Sequence, residues 1–345
     1  MARGWDDAWE ACRRALDPDA VLEPVRITAE HRGAYHAMAG SGEVAWVELT
    51  GRAFHAADDK RALPTVGDWV LVGGWADAVT GGGAAVVRSV LPRRSLLVRR
   101  AAGEATVPQP LAANVDVGIA MSSANADLSP ARLDRYVALL RDGGIEPVIV
   151  VSKIDLAIDP VAVVAAAAAI GPRAIGVSIV SGVGLDAIRA LGGAGRTCIV
   201  LGSSGVGKSS LLNALAGTTQ QTRAIRADER GRHTTTRREL FAAPDGGLWI
   251  DTPGMRELAQ WVDEPDSAPA AFDDVAALAA ECRFRDCAHR DEPGCAVRAS
   301  IAPERLVSFH KLATERRTGV TRQGTAKRIA ETRKAHGKRK PPPVE

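Results

Sequence analysis

The pattern of apolar and polar positions changes rhythm once along the chain. Residues 1–20 read as a short helical leader carrying Trp5 and Trp9. From about 25 to 100, short β-runs are broken by glycines. Val44 to Leu49, Asp68 to Val72 and Ala84 to Val87 are such runs, with Gly73-Gly74 and Gly81-Gly82-Gly83 as turns. Their spacing predicts a small antiparallel β-barrel, either of the oligonucleotide-binding type or another small β-domain. From about 111, strands alternate with helices. Val115 to Met121 and Pro147 to Val151 read as buried strands, and further strands end near Val177, Leu201 and Ile250. Ser129 and Pro130 open a helix that Gly143-Gly144 closes. This alternation predicts a doubly wound parallel sheet with helices on both faces. Ligands of such sheets bind beyond the carboxyl ends of the strands, so motifs there carry the most weight.

Composition narrows the class. The chain has 345 residues, 46% hydrophobic and 25% charged, which suits a folded protein of two or three domains. No apolar run reaches the roughly 18–20 residues of a membrane helix. The longest, Val161 to Ile170, is mostly alanine and reads as a soluble helix. The first residues lack an apolar secretory core. A cytoplasmic monomer with no membrane partner is expected. The net charge of +3 hides a split, because residues 301–345 hold 12 Lys and Arg against 4 Asp and Glu. The rest of the chain is net acidic. A uniformly basic nucleic-acid coat is excluded; a local anion-binding end is not.

Gly202-Ser203-Ser204-Gly205-Val206-Gly207-Lys208-Ser209 matches G-x-x-x-x-G-K-[ST] in full, and Ser210 begins the helical run behind it. Such a loop turns backbone N–H groups toward phosphate oxygens at a helix N-terminus. Lys208 is placed to reach the β- and γ-phosphates, and Ser209 to bind Mg²⁺. Asp251-Thr252-Pro253-Gly254 follows a strand. Asp251 can hold Mg²⁺ through water, and the Gly254 N–H can sense the γ-phosphate. Between them lies Gly231-Arg232-His233-Thr234-Thr235-Thr236, where one threonine, with Thr235 the candidate, can coordinate Mg²⁺ in the triphosphate state.

Ser152-Lys153-Ile154-Asp155 ends the Pro147 to Val151 strand. Its carboxylate suits guanine, whose N1–H and exocyclic amine offer two donors that adenine lacks there. Asn is usual where this chain has Ser152. Ser178-Ile179-Val180 sits where the guanine oxygen is usually met, through backbone N–H. The order is unusual: these base motifs precede the phosphate loop. That predicts a circular permutation, with the sheet kept and the chain cut elsewhere.

Five cysteines are too few for a disulfide scaffold. Cys282, Cys287 and Cys295 cluster with His289. Three thiolates and an imidazole fill a tetrahedral Zn²⁺ and leave no open position, so a structural site is expected. Cys12 and Cys198 read as ordinary buried thiols.

Together these features resemble the bacterial ribosome small-subunit-dependent GTPase A family. The carriers are Pro64-x-Val66-Gly67-Asp68-Trp69-Val70, Ala113-Asn114-Val115-Asp116, Gly202 to Ser209, Gly231 to Thr236, Asp251 to Gly254 and Cys287-x-His289-x-x-Glu292-Pro293-Gly294-Cys295. The resemblance implies an oligonucleotide-binding barrel, a permuted GTPase and a small α-helical zinc domain. It implies action late in maturation of the small ribosomal subunit, contact with its rRNA, slow hydrolysis that the subunit stimulates, and release coupled to hydrolysis. The expected division is a leader over 1–24, the barrel over 25–105, the GTPase domain over 106–262, the zinc domain over 263–325 and a basic tail over 326–345. Met255 stands where many GTPases carry a water-orienting glutamine, so His233 or the ribosome is expected to supply that group. The competing classes are a non-hydrolysing RNA-binding module and another phosphate-loop enzyme, such as an ATPase or a small-molecule kinase. The tail, Lys327 to Lys340, has no aromatics and suits phosphate contact without base readout.

Overall fold

The computed structural model describes residues 4–31, 33–56, 59–100, 107–125, 128–193, 195–217, 238–252 and 269–318. Helix α1 (Asp7–Leu16) starts where the Asp6 carboxylate accepts from the Ala8 and Trp9 N–H groups. It docks through Trp9, which packs with Trp69, Leu71 and Leu91.

Five strands follow: β1 (Glu23–His31), β2 (Ala34–Ala39), β3 (Val44–Glu48), β4 (Trp69–Gly73) and β5 (Ala85–Val90). β1 pairs antiparallel with β2 and β4, β2 with β3, and β4 with β5. β3 runs parallel to β5 and completes a ring. This is the predicted small barrel, antiparallel except for the β3–β5 pair that closes it. Alternate residues such as Val25, Ile27, Ala37, Val47 and Val70 fill its interior. Two short helices, α2 (Gly51–Ala56) and α3 (Trp75–Val79), decorate it. The sequence suggests only turns between Gly73 and Gly83. α3 forms there because Trp75 and Ala78 fold back into the barrel core.

The hairpin β6 (Leu96–Arg100) and β7 (Pro108–Ala113) leads to the second sheet. Its strands are β8 (Val117–Ser123), β9 (Glu146–Ser152), β10 (Ala174–Val177), β11 (Thr197–Gly202), β12 (Glu239–Ala242) and β13 (Leu248–Asp251). Five run parallel in the order β10-β9-β8-β11-β13, and β12 adds antiparallel to β13. Helices α4 (Pro130–Asp142) and α5 (Pro160–Ala168) cover one face through Leu133, Val137, Leu140 and Ala167. Helices α6 (Leu185–Leu191) and α7 (Lys208–Ala216) cover the other through Ile188, Leu191, Leu211 and Leu215. Pro130 and Gly143 bound α4 as the sequence suggests, but the Ser129 side chain makes no capping hydrogen bond.

The C-terminal region packs on the α4 face. Its helices span Asp273–Ala279, Ala296–Ser300 and 303–318. Val275, Val297 and Leu312 join the core under α4. Four ion pairs strap it there: Arg305–Asp134 at 3.0 Å, Arg316–Asp142 at 2.6 Å, Arg135–Glu315 at 2.7 Å and Arg141–Asp273 at 2.6 Å. Among the described residues, no helix is long and apolar enough to cross a membrane.

Barrel and sheet meet around Arg26, which is 2% exposed. Its guanidinium donates to the Gly67 carbonyl (3.2 Å), the Asn114 carbonyl (3.1 Å) and Thr197 Oγ1 (2.8 Å). Gly67 has φ +93°, and a Cβ there would lie 2.1 Å from the Ala113 carbonyl oxygen. Only glycine lets the barrel approach so closely. Gly67→Ala should therefore destabilise the protein by about 3 kcal/mol or more. Gly33→Ala is the control. Its φ is +81° but nothing lies within 4 Å, so it should cost about 1–2 kcal/mol. Denaturant unfolding measures both. Equal costs would show that the close approach contributes nothing.

Candidate functional site

The carboxyl ends of the parallel strands lie along one edge. Ser152 of β9 pairs with Ser123 of β8 and with Val177 of β10, and Gly202 of β11 pairs with Met121 of β8. From β8 the chain moves through α4 to β9, on one side. From β11 it moves through α7 toward β13, on the other. The winding reverses between β8 and β11, which opens a crevice at that point. The loop Gly202–Ser209 occupies it.

That loop has the shape of a phosphate cradle. Gly207 caps α7 with φ +99°, a left-handed conformation that side chains resist. No side chain caps this end of α7, so its first N–H groups are open to an anion. Lys208 is buried and donates through Nζ to the Gly202 and Ser203 carbonyls at 2.7 and 2.6 Å. These bonds hold its ammonium beneath the loop. Val206 is buried, whereas Ser204, Gly205, Ser209 and Ser210 are exposed on the loop and the first turn.

The base motif reaches the same loop from β9. Ser152 Oγ donates to the Val206 carbonyl at 2.6 Å and lies 3.1 Å from the Ser122 carbonyl. Lys153 has φ +57°, and its Nζ donates to the Gly205 carbonyl at 2.8 Å. The 3-10 turn Ile154–Leu156 leaves Asp155 exposed at the rim, with Ile154 packed against the core below. Ser178 is buried and closes the turn after β10. Its N–H donates to the Val183 carbonyl, and its Oγ accepts from Ser181 N–H. On the far side of the loop, Asp251 is buried at the end of β13. Thr252 Oγ1 donates to the Val200 carbonyl at 2.6 Å and ties that end to β11.

The sequence-predicted residues Ser152, Lys153, Asp155, Ser178, Gly202–Ser210 and Asp251 thus share one edge of one sheet. His233, Thr235 and Gly254, the Gly231–Thr236 stretch, Met255 and the tail from Lys327 lie outside the described residues. Arg132 is a contact the sequence does not reveal. From the first turn of α4 its Nη1 donates to Ser203 Oγ at 2.7 Å. A single arginine in a helix carries no spacing signature.

The four C-terminal ligand candidates also come together. Cys282, Cys287, His289 and Cys295 place one ligand atom each within 4.8 Å of one another. His289 Nδ1 lies 3.6 Å from Cys282 Sγ and 3.5 Å from Cys295 Sγ, and those two sulfurs are 3.9 Å apart. Metal bonds of about 2.0–2.3 Å in a tetrahedron space ligand atoms by about 3.5–3.8 Å. The donor set fits a metal ion. Backbone N–H groups of Val297 and Ala296 hold the Cys282 thiol below its ordinary value, which favours the thiolate. Burial pushes the Cys287 thiol up to about 11, a cost that metal binding must overcome. Burial lowers the His289 imidazole, favouring the neutral ligand form. Glu292 shapes the ligand loop: its carboxylate accepts from the Ala288 and Arg290 N–H groups at 2.9 and 2.8 Å. Cys198 is fully buried, as expected, and burial pushes its thiol up to about 12. Cys12 is only half-buried.

Known proteins place this arrangement. A family model described as RsgA GTPase matches residues 90–261. The small ribosomal subunit biogenesis GTPase RsgA of Opitutus terrae is 40% identical over 325 residues, spanning 90% of this chain and 88% of that protein. The protein of the same name from Streptomyces coelicolor is 39% identical over 348 residues, spanning 97% and 91%. The crystal structure of YjeQ from Thermotoga maritima superposes with a TM-score of 0.62 at 26% identity, covering 85% of this chain and 98% of that one. YloQ, described as a circularly permuted GTPase, gives 0.60 at 26% identity, covering 86% and 96%. With 40% identity over most of both chains and the same permuted architecture, the chain belongs to the RsgA GTPase family.

Proposed function

We propose that this chain hydrolyses GTP as a late maturation factor of the small ribosomal subunit. One observation carries the reading: Ser152 and Lys153 bond to the phosphate loop from the end of β9, two strands away from β11, although they precede that loop in the chain. A base motif and a phosphate cradle so joined suit one guanine nucleotide. The names of the relatives from Opitutus terrae and Streptomyces coelicolor support the ribosomal role.

In this reading the N–H groups of Gly205 to Ser210 and the Lys208 ammonium hold the phosphates. Lys208 needs only to exchange loop carbonyls for phosphate oxygens. Ser209, with Asp251 acting through water, holds Mg²⁺, which when bound neutralises charge on the phosphates. Asp155 accepts from guanine N1–H and the exocyclic amine, and the Lys153 stem covers the base. Ile154 fixes the turn, and Ser178 shapes the backbone that meets the guanine oxygen. The Gly254 N–H senses the γ-phosphate, Thr235 adds a Mg²⁺ ligand, and His233 orients the attacking water. Hydrolysis is slow alone, stimulated by the subunit, and coupled to release. Zn²⁺ on Cys282, Cys287, His289 and Cys295 is structural, because four ligands leave no open position. The protein acts in the cytoplasm as a monomer, and its barrel and basic tail meet rRNA.

Asp155→Asn should weaken GTP by about ten- to hundredfold, the value of hydrogen bonds to a charged acceptor. It should also improve binding of xanthosine triphosphate, whose C2 carbonyl can accept from the amide. Titration checks both, and unchanged GTP affinity would remove Asp155 as base reader.

His233→Ala should abolish subunit-stimulated turnover and spare GTP binding. Single-turnover hydrolysis with and without small subunits measures this. Near-normal stimulation would reject the role. In sedimentation, a GTP analogue should favour co-migration with small subunits over GDP, and equal co-migration would rule out the release step.

Purified protein should carry one zinc per chain by elemental analysis. Cys287→Ser should lose most of it, and helical signal from the C-terminal region should fall with it. Zinc-free wild-type protein with an intact C-terminal region would overturn the assignment.

A further inference from the structure

The Ser152 side chain stands where asparagine is usual, and its surroundings fix what it can do. It is 1% exposed. A hydroxyl carries one proton, and two carbonyls compete for it. Val206 O lies at 2.6 Å and Ser122 O at 3.1 Å. The shorter bond is to the phosphate loop. An asparagine amide has two protons and can serve the loop and a second acceptor together. Serine cannot.

The guanine edge that carries N7 and O6 offers only acceptors. In the reading above, which this inference rests on, Asp155 is an acceptor and serves the opposite edge. Lys153 Nζ is engaged by the Gly205 carbonyl at 2.8 Å, and its stem lies over the face of the base. Backbone N–H of the turn after β10 is the donor for O6. The Lys153 ammonium keeps further protons but is held at the loop by the Gly205 carbonyl, so a side-chain bond to N7 would fall to Ser152, whose one proton serves the loop.

We infer that Ser152 is a positioning residue of the phosphate loop that takes no part in reading the base, so that the nucleotide site ignores guanine N7. The hydroxyl spans β8, β9 and the loop. It fixes the Val206 peptide, and through it the turn at Gly207 where α7 begins. Its loss should therefore act on every nucleotide alike, because it disturbs the phosphate cradle and not the base.

The test uses full-length protein and 7-deaza-GTP, in which a carbon replaces N7. Competition against a fluorescent GDP gives both affinities. Wild type should bind GTP and 7-deaza-GTP within twofold of each other. Ser152→Ala should weaken GTP, GDP and 7-deaza-GTP by a common factor and leave their ratios unchanged. Ser152→Asn restores a second proton and should favour GTP over 7-deaza-GTP by about three- to tenfold, the value of one neutral hydrogen bond. A wild-type preference for GTP of threefold or more would overturn the inference without needing any variant. So would a changed ratio in Ser152→Ala, or a ratio of one in Ser152→Asn. Failure of the GTPase reading looks different: ATP would then compete as well as GTP, or no nucleotide would compete.

Discussion

A guanidinium taken out of water must find acceptors in the protein or destabilise it by several kcal/mol. Arg26 is such a group, and barrel, connecting hairpin and parallel sheet converge on it. Burial lowers its pKa to about 10, which still leaves it charged at neutral pH. Its acceptors include Gly67 in the barrel, Asn114 after β7 and Thr197 at the start of β11. Asn114 adds a bond of its own, donating to the same Gly67 carbonyl at 3.2 Å. Next to Gly67, Asp68 is fully buried. It accepts from Thr65 N–H and pairs with Arg93 at 2.6 Å. The Gly67-Asp68 pair therefore combines a close backbone approach with a buried ion pair. Remove the acceptors around Arg26 and the barrel loses its fixed bearing on the sheet.

The permutation becomes intelligible from the same sheet. Strand pairing depends on register and burial, not on which strand the ribosome makes first. The connection from β10 through α6 to β11 carries the chain from the sheet margin to its centre, past β9 and β8. By contrast, β8 to β9 and β9 to β10 join neighbouring strands through one helix each, α4 and α5. The candidate nucleotide edge is unaffected, because Ser152–Asp155, Ser178, Gly202–Ser209 and Asp251 each still sit at the end of their own strand. The tether to the rest of the protein does change. The segment beyond β13 leads into the C-terminal region, which is strapped to α4 by four ion pairs. The same helix touches the phosphate loop through Arg132. One helix thus contacts both the loop shaped as a phosphate cradle and the region that could hold a metal.

How much of this can be read from the sequence depends on how local its cause is. Gly202 to Ser209 is legible because a phosphate cradle demands glycine, lysine and serine at fixed spacing on a short stretch of chain. The Cys282–Cys295 cluster is legible for the same reason. Strands with a strong apolar run, such as β3, β4, β8 and β9, are legible to within about two residues, whereas β1, β2, β6, β7 and β12 carry no run that the sequence singles out. Closure of the barrel is less so: it depends on Val47 meeting Ala85 in a parallel pair, and neither residue signals that partner. α3 hides among glycines, because its helix is justified by Trp75 packing and not by local preference. Pairs such as Arg316 with Asp142 join distant single charges and leave no pattern. Ser152 is an intermediate case. The substitution is visible in the sequence, but the fate of its one proton is visible only in the fold.

The two margins of the parallel sheet have a consequence for solubility. An unpaired margin strand presents a row of N–H and C=O groups on which another chain can stack. Here both margin strands, β10 and β12, are only four residues long. β12 is also met by the barrel, where Glu239 pairs with Ala29 of β1. Arg238 reinforces that junction by pairing with Glu30 and donating to the Pro110 and Leu111 carbonyls. The barrel thus covers the start of that margin. A fragment that begins after it would expose β12 and be prone to aggregate, whatever its affinity for nucleotide.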